Sequence, residues 1–264
     1  MFTLTILEVA TAVGLVVLAM LIGVYGTIIG AGGGFLLVPA LAVLFGLPGA
    51  EAVGTGALTL ALIRVSGAVG YHRQGLVQWP AAAWFALGAA APALLSGWLL
   101  TERIDSRSLP TVVGVVLLAL AVAVVVRYAL AGLPGDEAGR EVAPLAPRKL
   151  PLLLGASGVG LLNGTFAVGG GLVAMPYLAA VQRLRAQQAA ATATAAGVVG
   201  STAATVGHTL NGNVQWAFAP LLFVGALGGS WIGAHWSGRL TERIVMVLLA
   251  TGLVMAGLPL VVWA

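Results

Sequence analysis

The sequence predicts an all-α polytopic membrane protein of about ten transmembrane helices, arranged as two five-helix repeats of inverted topology. Three observations predict this fold class: an apolar composition, an internal sequence repeat and an uneven distribution of basic residues. Of the 264 residues, 60% are hydrophobic and 8% are charged, whereas a soluble domain carries about 25% charged residues. The long apolar runs lack the polar–apolar alternation of membrane β-barrel strands, so they predict helices.

The internal repeat relates the first half of the chain to the second at an offset of 137 residues. Without a gap, 15 of the 48 positions from 32 to 79 are identical to their counterparts. The triplet Gly32-Gly33-Gly34 corresponds to Gly169-Gly170-Gly171, and Val77-Gln78-Trp79 corresponds to Val214-Gln215-Trp216. A duplication of this kind predicts two halves of similar structure.

Each half contains five apolar segments. They span 5–29, 32–46, 51–71, 79–100 and 109–130 in the first half, and 150–167, 169–182, 187–208, 215–237 and 242–263 in the second. We expect a first repeat at 1–131, a cytoplasmic linker at 132–149 and a second repeat at 150–264, because the linker is polar and rich in Pro and Gly. The second and seventh segments are short and broken at glycines: at 1.5 Å per residue each reaches roughly 21 Å, whereas the hydrocarbon core is about 30 Å thick.

The basic residues indicate which way the segments cross. If all ten cross, Arg103 and Arg107 lie on one face of the membrane and nine basic residues lie on the other. These nine are Arg73, Arg127, Arg140, Arg148, Lys149, Arg183, Arg185, Arg239 and Arg243. Basic loops stay in the cytoplasm, so we expect a cytoplasmic linker and both termini outside. Re-entrant second and seventh segments would instead give a count of about five against six, without a bias.

The two glycine triplets are the first candidate site. Short, glycine-interrupted segments at matching positions of two halves are typical of a transporter's substrate site. A helix start has unpaired N–H groups and a partial positive charge, and glycine lets an anion reach them. We therefore predict an anion site formed by Gly32, Gly33, Gly34, Gly169, Gly170 and Gly171. The alternative is that the triplets only permit close helix packing.

Polar residues inside the apolar segments add candidates, and two roles are open for each. Thr55 and its counterpart Thr192 either donate hydroxyls to an oxyanion or bond within and between helices. Arg64 either holds an anion through paired hydrogen bonds or extends to the cytoplasmic face. Asn163 and Thr165 either line the site or satisfy backbone groups freed by the helix break.

Glu51 and His208 are candidates for coupling to an ion, with a helix-start residue and an interfacial turn residue as the respective alternatives. We expect no cofactor and no metal, and we do not expect an enzyme, since Asp105 and Asp136 fall in loops and the three histidines are scattered. The chain has no cysteine, which excludes disulfides and thiol chemistry. The expected partners are a small anion and membrane lipid, with no nucleic acid, and a homodimer is a further expectation.

The doubled phrase GAGGGFLLVPAL at 30–41 and AVGGGLVAMPYL at 167–178 resembles the signature of the TauE/SafE sulfite-exporter family, the 4-toluene sulfonate uptake permeases of bacteria. The resemblance extends over essentially the whole chain. It implies the movement of sulfite, sulfonates or sulfo-organic acids across the bacterial inner membrane. The matched pair of short glycine-led segments predicts that the protein is a secondary carrier that works by alternating access. Two alternatives are an anion channel and a carrier of an organic anion without sulfur.

Overall fold

The computed structural model describes residues 6–103, 147–237 and 239–262, with scattered helical residues between 111 and 126. Helices dominate this part of the chain, and it contains no strand. The helices are α1 (Ile6–Ile28), α2 (Gly34–Phe45), α3 (Gly49–Arg73), α4 (Trp79–Leu99), α5 (Lys149–Phe166), α6 (Gly171–Val181), α7 (Ala186–Leu210), α8 (Ala219–Ser237) and α9 (Glu242–Val262). Most of the predicted fifth segment and of the linker lies outside the described residues.

Within the part of the chain that the structure describes, five helical stretches are long and apolar enough to cross a membrane. They are Val9–Ile28, Gly49–Arg73, Trp79–Leu99, Ala186–Leu210 and Trp216–Ser237. Helices α2 and α6 have 12 and 11 residues, which gives lengths of about 18 Å and 17 Å. They are short, as the sequence predicts, because glycines delay their starts.

The breaks before the short helices use left-handed backbone. Gly33, with φ +82°, precedes α2, and Gly169, with φ +78°, lies ahead of α6. Glycine takes these angles at little steric cost. The two halves differ at the end of the preceding helix, where Gly30 has φ +68° and its counterpart Ala167 has φ +47°. An alanine in this region carries strain that the glycine avoids.

Helices α3 and α7 form the buried centre of the structure. Two contacts show that they run antiparallel. Gly67 of α3 faces Thr194 of α7. Arg64, one turn earlier on α3, contacts Gly197, one turn later on α7. Small residues dominate both helices, and small residues let helix backbones approach closely in membranes. These repeat mates therefore cross at the middle of the molecule in opposite directions.

The outer helices pack across the two halves in a matched pattern. Helix α1 packs against α8, and its counterpart α5 packs against α4. In the first pair, glycines of α8 contact backbone carbonyls of α1: Gly225 with Val16, Gly229 with Met20 and Gly233 with Val24. In the second pair, Gly160 and Gly164 of α5 contact the carbonyls of Ala89 and Ala93. The first helix of each half is thus held by the fourth helix of the other half.

Candidate functional site

The two glycine-rich breaks meet backbone to backbone at the centre of the structure. A side chain on Gly34 would overlap the carbonyl oxygen of Ala167, and one on Gly171 would overlap that of Gly30. These contacts are reciprocal, since each residue of the second contact is the repeat mate of one in the first. Gly169 likewise lies against the carbonyl oxygen of Ala31. Close packing therefore accounts for the absence of side chains at Gly34, Gly169 and Gly171.

Matched side chains bind the backbone where α1 and α5 end. The Tyr71 hydroxyl donates to the carbonyl of Thr27 at 2.6 Å, and His208 Nε2 donates to the carbonyl of Gly164 at 2.7 Å. Tyr71 and His208 are repeat mates, as are Thr27 and Gly164. Because a helix leaves its last carbonyls without helical partners, the His208 bond satisfies a group that would otherwise be costly in a membrane. The Thr27 carbonyl also accepts from the backbone N–H of Gly30 at 2.9 Å, so Tyr71 adds a second bond to it.

A second pair of caps comes from the opposite half. Ser237 donates to the carbonyl of Ile28, and Thr101 donates to the carbonyl of Thr165, each at 3.2 Å. His208 is fully buried and lies two residues before the end of α7. Its bond to the backbone, shared with a tyrosine in the other half, gives it a structural role at the helix break.

A small cavity lies between the two halves beside the converging breaks. Its volume is about 10 Å³, which is room for roughly one water. The residues that line it are mostly small, and they are Arg64, Phe85, Ala89, Val159, Gly160, Asn163, Gly170, Ala174, Ala193, Ala196, Gly197 and Gly200. Three residues of the predicted site, Arg64, Asn163 and Gly170, thus come together in one place.

Arg64 is the charged group of this cavity. Its side chain is 2% exposed, so it does not extend to the cytoplasmic face in this structure. Its Nη2 donates weakly to the carbonyl of Ala31 at 3.4 Å, and its Nε has no partner. A side chain on Gly197 would overlap the guanidinium, so that glycine makes the space Arg64 occupies. A buried guanidinium with free donors can receive an oxyanion.

Asn163 links the second triplet to α7. Its Oδ1 accepts a hydrogen bond from the backbone N–H of Gly170 at 3.2 Å, and its Nδ2 donates to the hydroxyl of Ser201 at 3.4 Å. Asn163 therefore satisfies an N–H at the start of α6 and also lines the cavity. In the first half, Gly26 stands at the corresponding position and Gly33 N lies directly beside it.

Thr55 and Thr192 lie away from the cavity lining and form a reciprocal pair of bonds between the halves. The Thr55 hydroxyl accepts from the backbone N–H of Gln215 at 2.9 Å, and the Thr192 hydroxyl accepts from that of Gln78 at 3.1 Å. In this structure both threonines tie a loop of the opposite half to a central helix, which is the interhelical role left open by the sequence.

Four other residues of the predicted site do not line the cavity. Glu51 is half-buried in the first turn of α3, where a carboxylate is favoured by the helix dipole. Thr165 is buried at the end of α5, outside the cavity lining. Gly32 lies against the side chains of Leu60 and Arg64, and Gly33 against Ile22.

The sequence did not indicate that Gly197 lies against Arg64 or that Ser201 bonds Asn163. It also did not indicate that four side chains cap α1 and α5. The repeat offset carried a signal for one pair of caps, because it aligns Tyr71 with His208 and Thr27 with Gly164. No local pattern marks the others, since each contact joins residues that are distant in the chain.

The comparisons with known proteins identify the family of this chain. The family model described as sulfite exporter TauE/SafE matches residues 15–260. The chain belongs to the TauE/SafE family. The TauE/SafE family is a family of membrane transporters. Family membership and the apolar helices together identify this chain as a multi-pass membrane protein. Among the solved structures, none matches this chain.

Several curated relatives of this family member cover nearly its whole length. The chain is 23% identical to the probable membrane transporter protein YunE of Bacillus subtilis (strain 168), over 94% of this chain and 96% of that protein. It is 27% identical to the probable membrane transporter protein YjnA of the same organism, over 95% of this chain and 100% of that protein. The probable membrane transporter protein MJ0441 of Methanocaldococcus jannaschii is 27% identical over 62% of this chain and 60% of that protein.

Proposed function

We propose that this TauE/SafE protein is a secondary transporter that moves small sulfur-containing anions, such as sulfite, sulfonates or sulfo-organic acids, across the bacterial inner membrane. The observation that carries the proposal is Arg64: a buried guanidinium with free donors in a cavity between the halves. A charge inside a membrane protein is costly and is retained where it has a function. The anion is held by Arg64 where the two glycine-led helix starts converge.

The packing of the helices supports an inverted repeat of ten crossings. Helices α3 and α7 are repeat mates and run antiparallel, which requires an odd number of direction changes between them. Five crossings per half meet this requirement. If α6 did not cross, an even number would remain and the two helices would run parallel. The orientation with both termini outside follows from the basic residues.

Alternating access is supported by two reciprocal bonds between the halves, which we take as the closures of the cavity. Thr55 binds the loop before α8, and Thr192 binds the loop before α4. A carrier opens one such closure at a time, so substrate exchanges with one face of the membrane and then with the other. A channel is the alternative, and it would open both closures together.

The direct test is flux through proteoliposomes that contain the purified full-length chain. Sulfite, sulfate, thiosulfate and short sulfonates are compared with short carboxylates, which represent organic anions without sulfur. We expect saturable uptake of a sulfur anion, and we expect its loss in Arg64→Gln. Gly158→Ala is the matched control, because its added methyl group meets open space.

Three outcomes would contradict the proposal. Large unitary currents would indicate a channel, and uptake confined to carboxylates would indicate a carrier for a different anion class. Undiminished uptake by Arg64→Gln would remove the proposed site. Labelling of single cysteines placed at the termini, with a reagent that does not cross the membrane, tests the orientation independently.

A further inference from the structure

The cavity between the halves contains a single fixed charge. Among the described residues, Arg64 is the only buried Lys or Arg. The other basic residues that the structure describes are exposed, and they are Arg73, Arg103, Arg148, Lys149, Arg183, Arg185, Arg239 and Arg243. His208 is 11 residues from Gly197 on α7, about 16 Å along the helix axis from the guanidinium. His208 therefore lies too far away to place a second positive charge in the cavity.

No described acid neutralises Arg64. Glu51 is the only carboxylate whose side chain the structure describes, and it is 13 residues earlier on α3, about 20 Å along the axis. An isolated buried charge is costly unless an opposite charge joins it. The cavity thus carries one positive charge that is available to a ligand.

The other polar groups near Arg64 are neutral. Asn163 lines the same cavity and holds Ser201 at 3.4 Å. The hydroxyls of Thr27 and Thr194 are fully or almost fully buried without a hydrogen-bond partner, and both side chains lie against Gly67, one turn from Arg64 on α3. These groups offer dipoles to an oxyanion but no second charge.

The internal repeat shows that only one half contributes a charge to this cavity. The position that corresponds to Arg64 in the second half is Ser201. A symmetric site with an arginine from each half would carry two charges. This site carries one, with a hydroxyl where the second charge would stand.

We propose that the Arg64 cavity selects a monoanion over a dianion of similar size and shape. The proposal rests on the proposed function, in that it names the charge of the anion held there. Arg64 compensates the first negative charge through paired hydrogen bonds. A second negative charge would be buried in a low-dielectric interior against neutral dipoles alone, and such a charge is strongly disfavoured.

The test compares methanesulfonate, with one negative charge, and sulfate, with two, since both have a tetrahedral sulfur and differ by a methyl group in place of one oxygen. Their binding to the purified full-length chain in detergent is measured at matched ionic strength. We expect methanesulfonate to bind at least about tenfold more tightly, since charge burial of this kind exceeds the free energy of a tenfold change in affinity. Arg64→Lys keeps the charge and retains the preference, whereas Arg64→Gln loses methanesulfonate binding.

A variant with a second charge tests the same reasoning in the opposite direction. Ser201→Lys places a cation at the repeat mate of Arg64, and we expect it to shift the preference toward sulfate. Ser201→Ala is the matched control and keeps the preference for methanesulfonate. Asn163→Lys provides a second position for the added charge if Ser201→Lys does not fold.

Equal or tighter binding of sulfate by the unmodified chain would overturn monoanion selection. So would the absence of binding by either anion, or a preference that survives Arg64→Gln. Flux measurements separate this inference from the proposed function. Equal transport of both anions refutes the selection while anion transport stands, whereas the absence of flux for every sulfur anion refutes the proposed function itself.

Discussion

The threonine bonds at Gln215 and Gln78 lie on opposite sides of the Arg64 cavity. Thr55 is nine residues before Arg64 on α3, about 14 Å along the axis. Thr192 is five residues before Gly197, which faces Arg64 from the antiparallel helix α7, and so it lies about 7.5 Å in the other direction. We predict that Thr55→Val and Thr192→Val open the cavity toward opposite faces of the membrane.

The magnitude follows from the loss of one partly buried hydrogen bond. Valine nearly preserves the shape of threonine but has no acceptor, so the backbone N–H of Gln215 would lose its partner at 2.9 Å. The net contribution of one such bond is about 0.5–1.5 kcal/mol. This free energy corresponds to a shift of roughly 2–13-fold in the equilibrium between the open and closed arrangements.

Cysteine labelling measures this shift cleanly, because the chain contains no cysteine. Ala196→Cys places one thiol in the wall of the cavity. A negatively charged thiol reagent that does not cross the membrane is applied to one face of proteoliposomes at a time. We expect Thr55→Val to raise the labelling rate from the face where the 211–215 loop lies, and Thr192→Val to raise it from the face of the 74–78 loop.

Thr55→Ser and Thr192→Ser are the matched controls, since they retain the accepting hydroxyl, and we expect labelling rates close to those of the unmodified threonines. The reasoning is refuted if both valine variants raise labelling from the same face, or if neither changes the rate. Serine variants that behave like the valine variants would attribute the effect to packing rather than to the hydrogen bond.

Two further predictions concern the stability of the helix breaks, measured as the apparent melting temperature of the full-length chain in detergent. Gly30→Ala lowers this temperature, because the added methyl group would overlap Ala190 at a left-handed position. Ala167→Gly raises it, because glycine relieves backbone strain of about 1 kcal/mol. A higher melting temperature for Gly30→Ala, or a lower one for Ala167→Gly, would contradict the matched geometry of the two breaks. Tyr71→Phe removes the bond to the carbonyl of Thr27 and costs about 0.5–1.5 kcal/mol of stability, the net value of one hydrogen bond, because the carbonyl keeps its bond from the backbone N–H of Gly30. An unchanged melting temperature for Tyr71→Phe would show that this cap contributes nothing.

The sequence predicted the helices well because their limits depend on local chemistry. The fourth segment was expected at 79–100, and α4 spans Trp79–Leu99, with a proline in its first turn that favours a helix start. The short helix expected at 32–46 spans Gly34–Phe45, because left-handed glycines bound it at both ends. The third segment was expected at 51–71, and α3 extends two residues further at each end.

For the candidate site, the sequence named residues without determining their contacts. The repeat offset pairs the two triplets, and the structure brings them into contact. For Arg64, Thr55 and Asn163 the sequence left two roles open, since helical spacing states which face a residue occupies but not what lies opposite. Gly197, whose missing side chain leaves room for the guanidinium, is 133 residues from Arg64 in the chain.

By itself, then, the sequence determined the membrane class, the duplication and the positions of the helix breaks, because apolar length, repeated residues and glycine backbone freedom act over short stretches of chain. Only the tertiary structure decided that Gly34, Gly169 and Gly171 pack against carbonyls, that Thr55 and Thr192 hold opposing loops, and that Arg64 is left with free donors in a cavity. These outcomes depend on contacts between the two halves. The free energy of a buried charge or hydroxyl is set by the atoms that surround it after the helices have packed.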